Sequence, residues 1–405
     1  MTATRARKRS IQRYQELCGT ALRGLEMLAV AYTMVILYTV GLIYLILFTV
    51  GYAMRAKHRV AMSGVHGLVS VIVPVYNEKT KILSECMESL ASQSVRRKIK
   101  LYVVLTAPHR GQAQLVERYR STFSSVTVVH QRRPSLVKAY LAALSHISTE
   151  FTCIVNADIL LEPEAIGRLY GFAKQNKLDI GFGLIMPTST SRFSKFTSIK
   201  KLVRQLLLQS GRGALGMGYY IPGAFYIANS VVLKDNLRET FTDDAALMLE
   251  SYSKKLFNVK LLPEVLAHEL EKRTFYSWTM QFSRWFIGNA KIYPLWIDAF
   301  AKSETKVRFG IFGLLYIWYV LPLSMTIGMV AVLLGTLNVW LFFAFYAVLT
   351  ITLYGMKQVR KYGKLYVASF WVVYSLAKTC GILISPYILE VIKRDVSKSR
   401  IIFKR

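Results

Sequence analysis

The amino-acid sequence predicts an α/β domain that lies between membrane-spanning helices. Hydrophobic residues make up 53% of the 405 residues, a share that is too high for a soluble protein of this length. Several apolar stretches are long enough to cross a bilayer, and a segment of ordinary mixed composition separates the first of them from the others. Within that segment short β-branched runs alternate with helical periodicity, which is typical of an open sheet covered by helices.

The first predicted membrane segment precedes the α/β domain, and further apolar segments follow it. Residues 27–54 contain no charged residue and are long enough to span a bilayer with some tilt. Residues 309–334 and 337–356 are two further apolar stretches. Only Gly335-Thr336 separates them, and so short a connection predicts a helical hairpin.

A last apolar stretch, residues 365–389, contains Lys378 and Pro386. Three alternatives stay open for it, because it can span the membrane, re-enter it or lie in the interface. The segment between the membrane stretches is long enough for one large soluble domain. We therefore predict a basic N-terminal segment with the first transmembrane helix (1–57), a soluble α/β domain with interfacial helices (58–308), and a C-terminal transmembrane bundle with a basic tail (309–405).

The charge of the chain restricts its partners. With 53 lysines and arginines against 23 acids, the formal net charge is +30. A protein that is both this basic and this apolar favours anionic lipid or an anionic substrate. Nucleic acid is not predicted as a partner, since the sequence has neither zinc-finger spacing nor an aromatic RNA-binding motif. The four cysteines show no paired spacing, which predicts neither a disulfide framework nor a zinc site: Cys18, Cys86, Cys153 and Cys380.

Short hydrophobic runs predict the strands of the sheet, with helical segments between them. These runs are 68–75, 100–105, 125–129 and 151–155. In open α/β sheets, ligands bind beyond the carboxyl ends of the strands. The candidate binding residues are therefore the polar residues that follow the strands: Tyr76-Asn77-Glu78, Thr106 and Asn156-Ala157-Asp158.

Two groups of acidic residues each allow two interpretations. The carboxylate of Asp158 can bind a divalent ion that bridges a diphosphate, or it can form an Asx turn or a helix cap. Asp243 and Asp244 precede a predicted helix over 245–256, so that they can cap this helix. Alternatively, a carboxylate of this pair accepts a proton from an attacking hydroxyl. The residues alone leave both questions open.

A third candidate group lies within one helical turn, at Gln281, Arg284 and Trp285. Amide and guanidinium groups suit a diphosphate, and an indole ring suits the face of a sugar. The alternative is an interfacial helix with an aromatic belt and an arginine that reaches the headgroups.

Residues 197–210 have an amphipathic pattern. Their apolar residues share one helical face, and Lys200, Lys201 and Arg204 lie opposite. This pattern predicts either an in-plane interfacial helix or a helix that covers the sheet.

Six motifs, taken in chain order, resemble the membrane-bound glycosyltransferases of family 2. This group includes hyaluronan, chitin, cellulose and poly-N-acetylglucosamine synthases and the ceramide glucosyltransferases. The resemblance covers the whole predicted soluble domain and implies the GT-A fold of nucleotide-diphospho-sugar transferases. The motifs are Val73-Pro74-Val75-Tyr76-Asn77-Glu78, Lys138-Ala139 with Leu141-Ala142-Ala143, Asn156-Ala157-Asp158, Ile221-Pro222-Gly223-Ala224-Phe225, Thr242-Asp243-Asp244, and Gln281-Phe282-Ser283-Arg284-Trp285 with Gly288.

The resemblance implies a donor site at the strand ends. Tyr76 and Glu78 would contact the base and ribose of the nucleotide. Lys138 and Asn156 would lie at the donor phosphates. Asp158 would bind the metal cofactor, which is Mg²⁺ or Mn²⁺.

The resemblance also implies the catalytic and acceptor residues. Asp244 would be the general base on the acceptor hydroxyl, and Gln281 and Arg284 would bind the departing diphosphate. Trp285 would stack beneath the acceptor. Gly223 would let the backbone approach the acceptor sugar.

The sequence departs from the family pattern in three places. The second strand ends in Thr106 where the family usually has an acidic pair, which leaves the donor nucleotide open. Asn156 replaces the first Asp of the metal motif and removes one charge near the diphosphate. Asp243 replaces Glu, which keeps the charge beside Asp244. A weakened acidic set also fits a non-catalytic relative that acts as a membrane scaffold.

The resemblance implies an inverting, nucleotide-sugar-dependent glycosyltransferase of the cell membrane. Because nucleotide sugars are cytosolic, the catalytic domain would face the cytosol. The predicted acceptor is a growing polysaccharide, and the alternative is a lipid that receives a single sugar. Further implied partners are membrane lipids and, because the C-terminal bundle is small, a second copy of the chain or a small membrane protein.

Overall fold

The computed structural model describes most of the chain, and several predicted features lie outside the described residues. These features are the basic N-terminal segment before residue 29 with Cys18, Asn77 of the first motif, the Gly335-Thr336 turn and the basic tail after residue 394. The described residues are 29–54, 67–76, 78–106, 111–132, 135–188, 193–240, 242–254, 257–270, 274–334 and 339–394.

The chain divides into two compact units. One consists of Met1–Ile46 and Leu315–Thr379, and the other consists of Leu47–Leu314 and Cys380–Arg405. All the candidate site residues belong to the second unit. The three domain ranges that we derived from the sequence stay a prediction.

A mixed β-sheet forms the centre of the second unit. Its strands are β1 (Val69–Tyr76), β2 (Ile99–Thr106), β3 (Ser125–Gln131), β4 (Phe151–Val155), β5 (Ile159–Leu161), β6 (Ile180–Thr188), β7 (Phe225–Asn229) and β8 (Val259–Leu270). They are arranged in the order β3-β2-β1-β4-β7-β6-β8-β5. The β1, β2, β3 and β4 neighbours pair in parallel, as do β6 and β8, whereas β7 is antiparallel to both β4 and β6 and β5 is antiparallel to β8.

The predicted α/β fold is confirmed, and β1 to β4 agree with the predicted runs to within two residues at each end. Burial explains this agreement, because every residue of β1 before Tyr76 is buried, as a central parallel strand requires. The strands β5 to β8 were not predicted from the sequence. Strand β8 was missed because it contains Pro263, which lies where the register with β6 shifts between Gly183 and Leu184.

Helices cover the sheet and account for most of the remaining described chain. They are α1 (Ala29–Met54), α2 (Thr80–Ala91), α3 (Gln112–Glu117), α4 (Leu136–Leu144), α5 (Ala165–Gln175), α6 (Ser194–Leu202), α7 (Gly211–Ala214), α8 (Ser230–Asn236), α9 (Asp243–Lys254), α10 (Phe275–Lys291), α11 (Tyr293–Lys302), α12 (Thr305–Leu315), α13 (Leu321–Leu333), α14 (Val339–Gly355), α15 (Lys357–Arg360) and α16 (Lys364–Arg394). A π-helical segment, Val203–Ser210, joins α6 to α7, and a second one, Tyr316–Val320, joins α12 to α13.

Three helices are long and apolar enough to cross a membrane: Ala29–Met54, Thr305–Leu333 and Lys364–Glu390. The last of these continues through Pro386. The stretch 365–389 therefore has the length of a span. The side of the membrane that each end faces stays a prediction.

The first unit is a helical assembly with an aromatic interior. The rings of Tyr38 and Phe345 stack with their centres 4.2 Å apart. Lys378 is buried in this unit, with its ammonium 4.9 Å from the ring centre of Tyr319. The helix α14 has 17 described residues and is shorter than each of the three candidate spans.

The amphipathic segment 197–210 covers the sheet. Ile199 and Leu202 are buried, and the Gln205 side chain exchanges two hydrogen bonds of 2.6 Å with the backbone of Ile185 in β6. The opposite face is buried as well, since Lys200 and Lys201 are each less than one-tenth exposed. This arrangement agrees with the alternative of a covering helix, and it turns the basic face towards the candidate site.

Candidate active site

The carboxyl ends of β1, β2 and β3 lie side by side at one edge of the sheet. In the strand register Tyr76 is opposite Thr106, and Thr106 is opposite Gln131. Tyr76 and Glu78 are both partly buried, and the backbone amide of Tyr76 donates to the Glu78 carboxylate. The structure thus brings the two predicted nucleotide-contacting residues together at this edge.

A neutral hydrogen-bond network occupies the end of β2, where the family usually has acids. Thr106 is buried, and its hydroxyl donates to Gln131 Oε1 over 3.0 Å. The Gln131 amide then donates to the Ser135 carbonyl over 3.1 Å. The Thr106 hydroxyl and the Gln131 side chain therefore form their hydrogen bonds within the protein, and no carboxylate takes part.

Lys138 lies at the start of α4. Its backbone amide donates to the capping hydroxyl of Ser135 over 3.3 Å. Its side chain is exposed, and the ammonium lies 3.3 Å from a carboxylate oxygen of Glu239. The contact of Lys138 with the donor phosphates stays a prediction. To make this contact, the ammonium would have to leave a solvent-exposed ion pair, and such a pair contributes little free energy.

Asn156 and Asp158 follow β4 in a turn that is fixed by β7. The amide of Asn156 donates to the carbonyl of Ala224 over 2.9 Å, directly beyond the Val155–Phe225 pair of the antiparallel ladder. The side-chain oxygen Oδ1 of Asn156 is buried and accepts no hydrogen bond from any described residue. A buried acceptor without a protein donor is open to an ion, a ligand or a water molecule.

The donor set at this turn fits Mg²⁺ or Mn²⁺. No group of three or more His, Cys, Asp or Glu side chains that could hold a metal ion occurs among the described residues. A complete cage is not needed, because these ions bind through one or two carboxylates together with substrate phosphates. The Asp158 carboxylate and the Asn156 Oδ1 are hard oxygen ligands of the required type.

Burial and the charges of Asp158 and Glu78 raise the pKa of the Cys86 thiol, with burial as the largest cause. Cys86 lies on α2, and its sulfur is 3.9 Å from the Asn156 carbonyl. The carboxylates from the ends of β1 and β4 therefore lie near the same buried thiol. The buried thiol is therefore neutral at neutral pH.

Three donors orient the carboxylate of Asp244. Its Oδ2 accepts hydrogen bonds from the Tyr220 hydroxyl over 3.1 Å and from the Gly223 amide over 3.2 Å. Its Oδ1 accepts from the Ala245 amide over 2.8 Å at the start of α9. The predicted helix-capping role and a role in catalysis are thus compatible, because the same carboxylate caps the helix and faces the acceptor motif.

Gly223 is required by the close approach of this carboxylate. A Cβ atom at this position would lie 3.0 Å from Asp244 Oδ2 and 3.2 Å from Asp244 Cγ. The predicted acceptor glycine therefore contacts the predicted base directly.

Asp243 is buried beside Asp244. Burial, followed by the negative charge of Asp244, raises the pKa of Asp243 from 3.8 to about 7, although Arg284 and nearby backbone amides act in the opposite direction. The doublet consequently carries less than two full negative charges at neutral pH. From the sequence, Asp243 was expected to carry the full negative charge of the Glu that it replaces. Its raised pKa corrects that expectation.

The helix α10 begins with a capping box between Thr274 and Ser277 and presents Arg284 to the aspartates. Burial lowers the pKa of Arg284, whereas Asp244, Asp158 and Asp243, in that order, raise it. The guanidinium still stays protonated at neutral pH. Within the described residues it forms no ion pair within 4.0 Å. A partly buried guanidinium near three aspartates, but paired with none of them, suits a phosphate ligand.

The structure adds two cations that the sequence analysis did not assign to the site. Lys200 donates to Gln281 Oε1 over 3.0 Å and lies 5.5 Å from the ring centre of Trp285. The guanidinium carbon of Arg204 lies 4.6 Å from the ring centre of Tyr220 and 5.3 Å from that of Trp285. The sequence contains one signal for this placement, because residues 194–210 include four basic residues and no acid that could pair with them within the helix.

Comparison with known proteins shows which proteins this sheet and the motifs at its strand ends resemble. Residues 70–234 match the family model of Glycosyl transferase family 2. These residues are thus similar to the catalytic domain of family 2 glycosyltransferases. A mannosyltransferase structure from Pyrobaculum calidifontis superposes with a TM-score of 0.60 at 16% identity, and the match covers 89% of this chain and 99% of that one. The predicted GT-A fold is thereby confirmed.

The curated relatives match only part of the chain. A probable glycosyltransferase of Bacillus subtilis, YdaM, is 22% identical over 263 residues, which are 62% of this chain and 61% of the relative. An N-acetylglucosaminyltransferase of Mesorhizobium japonicum is 32% identical over 103 residues, a quarter of this chain and 24% of the relative. The chain thus spans about three fifths or less of these relatives, and Asp244 and Arg284 lie beyond the residues that match the family model.

Proposed function

We propose that the chain is an inverting glycosyltransferase that moves a sugar from a nucleotide-sugar donor to a hydroxyl of a membrane-associated acceptor. The observation that carries this proposal is the convergence of Asp158, Asp244 and Arg284, which come from three separate parts of the chain: both carboxylates act electrostatically on the guanidinium. A displacement at a sugar carbon needs three such groups. They are a carboxylate on the donor side, a second carboxylate that is oriented by hydrogen bonds, and a guanidinium that is not paired with a carboxylate.

The proposed reaction is a single displacement. The acceptor oxygen attacks the anomeric carbon, the bond from this carbon to the diphosphate oxygen breaks, and Asp244 accepts the proton of the hydroxyl. The hydrogen bonds from Tyr220 and Gly223 fix the position of Oδ2, while Oδ1, which accepts one hydrogen bond from the Ala245 amide, keeps a lone pair for the acceptor. Arg284 offsets the negative charge that develops on the departing diphosphate, together with Gln281. Attack from the side opposite the leaving group inverts the configuration.

The donor side supplies binding and orientation. Tyr76 and Glu78 would contact the nucleoside, and Lys138 and Asn156 the phosphates. Asp158 and Asn156 would hold Mg²⁺ or Mn²⁺, which supplies positive charge next to the diphosphate when bound. The mannosyltransferase of the same fold is a complex with GDP-Man and Mn2+, which supports both the donor class and the cofactor.

The acceptor is proposed to be membrane-associated because three helices are long and apolar enough to cross a membrane. The catalytic domain would face the cytosol, where nucleotide sugars are found. A growing polysaccharide, the acceptor predicted from the sequence, and a lipid that receives one sugar both agree with the geometry of Asp244 and Trp285. The size of the product distinguishes them. Membrane lipids, and a second copy of the chain or a small membrane protein, stay predicted partners.

The test is a donor screen on the full chain in lipid vesicles with Mn²⁺ or Mg²⁺. UDP- and GDP-sugars are offered together with lipid acceptors, and release of free nucleotide is measured. We expect release from one donor, and we expect Asp244→Asn to lower kcat about 10²- to 10⁴-fold because the proton acceptor is lost. Asp298→Asn, which changes an exposed aspartate paired with Lys302 on α11, is the matched control and should keep wild-type turnover. If no donor releases nucleotide, the scaffold alternative replaces the enzyme.

A further inference from the structure

The loop between α7 and β7 carries two of the three donors that orient Asp244. We call residues 215–224 the acceptor loop; they include Tyr220 and Gly223, whose hydroxyl and backbone amide both donate to Asp244 Oδ2. The acceptor loop contains neither helix nor strand, and its backbone turns twice through a glycine of positive φ. Because no ladder of backbone hydrogen bonds holds such a loop, side chains of other elements have to fix it.

Gln209, near the end of the π-helical segment, holds the backbone of Tyr220. Its Oε1 accepts a hydrogen bond from the Tyr220 amide over 2.7 Å, and its Nε2 donates to the Tyr220 carbonyl. Both residues are buried, with exposures of 4% and 5%. Within the part of the chain that the structure describes, the Gln209 side chain forms no other hydrogen bond. Two bonds to one residue pair a buried amide and a buried carbonyl and fix the position of that residue.

Tyr220 connects this fixed backbone with the Asp244 carboxylate. Its hydroxyl donates to Oδ2 over 3.1 Å, so that its side chain joins the π-helical segment to the start of α9. The neighbouring carbonyl of Tyr219 accepts a hydrogen bond from the hydroxyl of Tyr252, which lies on the same helix as Asp244. The acceptor loop is therefore held between Gln209 on one side and α9 on the other, which limits the movement of Tyr220 relative to the carboxylate.

A second glutamine on the π-helical segment shows the same kind of pairing. Gln205, about one turn earlier, exchanges two hydrogen bonds of 2.6 Å with the amide and the carbonyl of Ile185 in β6. Gln205 thus joins the segment to the sheet, and Gln209 joins the acceptor loop to the segment. π-Helical segments are rare and often lie at functional sites. Here the two glutamines together fix the acceptor loop relative to the β-sheet.

We propose that Gln209 is a positioning residue for the proton transfer to Asp244. It holds Tyr220, whose hydroxyl fixes Oδ2 and thereby the direction in which Oδ1 meets the acceptor hydroxyl. Gln209 itself contacts neither the sugar nor the nucleotide, and it lies outside all six sequence motifs. The inference rests on the proposed transferase function for its effect on the rate, whereas the coupling between Gln209 and Tyr220 can be measured without turnover.

The test is a double-mutant cycle on the full chain in lipid vesicles, with the donor and the acceptor found in the donor screen. Gln209→Met keeps the length of the side chain and removes both polar groups, and Tyr220→Phe removes only the hydroxyl. We expect each variant to lower kcat roughly tenfold, because small misplacements of a catalytic group have effects of this size or larger. The double variant should also lose roughly tenfold, and not a hundredfold, since both changes break the same line of contacts. The donor KM should stay within about twofold of the wild type, because the donor half is unchanged.

The matched control is Gln205→Met, which removes the same two kinds of hydrogen bond from the same π-helical segment but none that involves Tyr220. Its effect on kcat should multiply with that of Tyr220→Phe, as expected for a residue that only stabilises the fold. Gln209→Asn, which keeps both polar groups on a side chain one methylene shorter, is the second variant if Gln209→Met does not fold, and it should show the same coupling. Effects of the Gln209 and Tyr220 changes that multiply overturn the proposal.

A second cycle measures Tm in detergent, without donor or acceptor. Tyr220→Phe should lower Tm by about 2 °C or more in the wild type and by about half of that or less in Gln209→Met, where the hydroxyl is no longer held on Asp244. If turnover is found but the effects on kcat multiply, the positioning proposal fails and the transferase proposal stands. If no donor is turned over, the transferase proposal fails and the Tm cycle decides. Coupled Tm values then leave Gln209 as the residue that orders Tyr220 against Asp244, and additive values overturn this role as well.

Discussion

The proposed donor half and the proposed acceptor half of the site are built from different kinds of structure. The donor half consists of turns directly after parallel strands, where Tyr76, Thr106 and Asp158 each follow the last residues of a strand or end it. The acceptor half is assembled from segments far apart in the sequence, since Arg204, Tyr220 and Asp244 come from a helix, a loop and the start of another helix. Local sequence thus determines one half, and tertiary packing determines the other.

The two halves also differ in charge. At the donor end of β2 a neutral network of Thr106, Gln131 and Ser135 satisfies its polar groups internally. In the acceptor half, by contrast, cations lie on aromatic rings beside aspartates. We therefore expect the donor half to rely on shape and a metal ion for binding, and the acceptor half to rely on fixed protein charges. Each prediction below tests this contrast.

Among the variants that compare the two halves, the largest effect is expected from Arg284, on which the carboxylates Asp158 and Asp244 both act. Arg284→Gln should lower kcat about 10²- to 10³-fold, because the diphosphate loses its fixed positive charge in the transition state. Arg284→Lys should recover part of this loss. Initial rates at saturating donor and acceptor check the prediction, with Arg120→Gln as the matched arginine control. An effect on acceptor KM alone would assign Arg284 to the acceptor half instead.

The next effect tests how closely the acceptor half is packed. In Gly223→Ala the new methyl group would lie 3.0 Å from Asp244 Oδ2 and displace the carboxylate. We expect a loss in kcat of roughly 10- to 100-fold, since small misplacements of a catalytic group have effects of this size. Gly67→Ala, whose methyl group would lie 3.5 Å from the Tyr170 hydroxyl in ordinary contact, should leave kcat unchanged. A variant at Gly223 with wild-type kcat would show that Asp244 tolerates displacement.

The contrast explains which parts of the site could be predicted from the sequence. A β-branched run followed by Asn-Ala-Asp specifies a strand, a turn and a carboxylate at a sheet edge, so that Asp158 could be placed in advance. The inward position of Arg204 could not, because the helical pattern of 197–210 shows a basic face but not that α10 covers it. The antiparallel insertion of β7, which brings Ala224 to Asn156, depends on long-range pairing that no local pattern reports.

Asp243 gives a prediction about pH and stability. Below pH 3.8 its carboxyl is protonated in both the folded and the unfolded chain, and it contributes no difference. As the pH rises from 3.8 to about 7, the unfolded chain ionises first and the free energy of unfolding falls, and the full loss is reached above pH 7. Asp243→Asn cannot ionise, so its Tm should exceed that of the wild type at pH 8 by about 3 °C or more, which corresponds to roughly 1 kcal/mol.

The comparison for this prediction is the same pair of proteins at about pH 3, below the pKa of the unfolded carboxyl, where the difference should nearly vanish. Asp298→Asn, on the exposed surface of α11, should show no pH-dependent difference of this kind. A constant difference at all pH values would indicate that the amide changes packing, and that the proton on Asp243 is not the cause.

The smallest effect is expected in the neutral network of the donor half. Thr106→Val keeps the shape of the side chain but removes the hydroxyl that donates to Gln131. A buried acceptor that loses one donor costs about 1 kcal/mol of stability, so Tm should fall by only a few degrees. Because this network ends at the cap of α4, we expect the donor KM to rise by roughly two- to fivefold, with kcat and acceptor KM unchanged. A large loss in kcat would mean that charge placement in the donor half matters as much as in the acceptor half, and the contrast between the two halves would then be wrong.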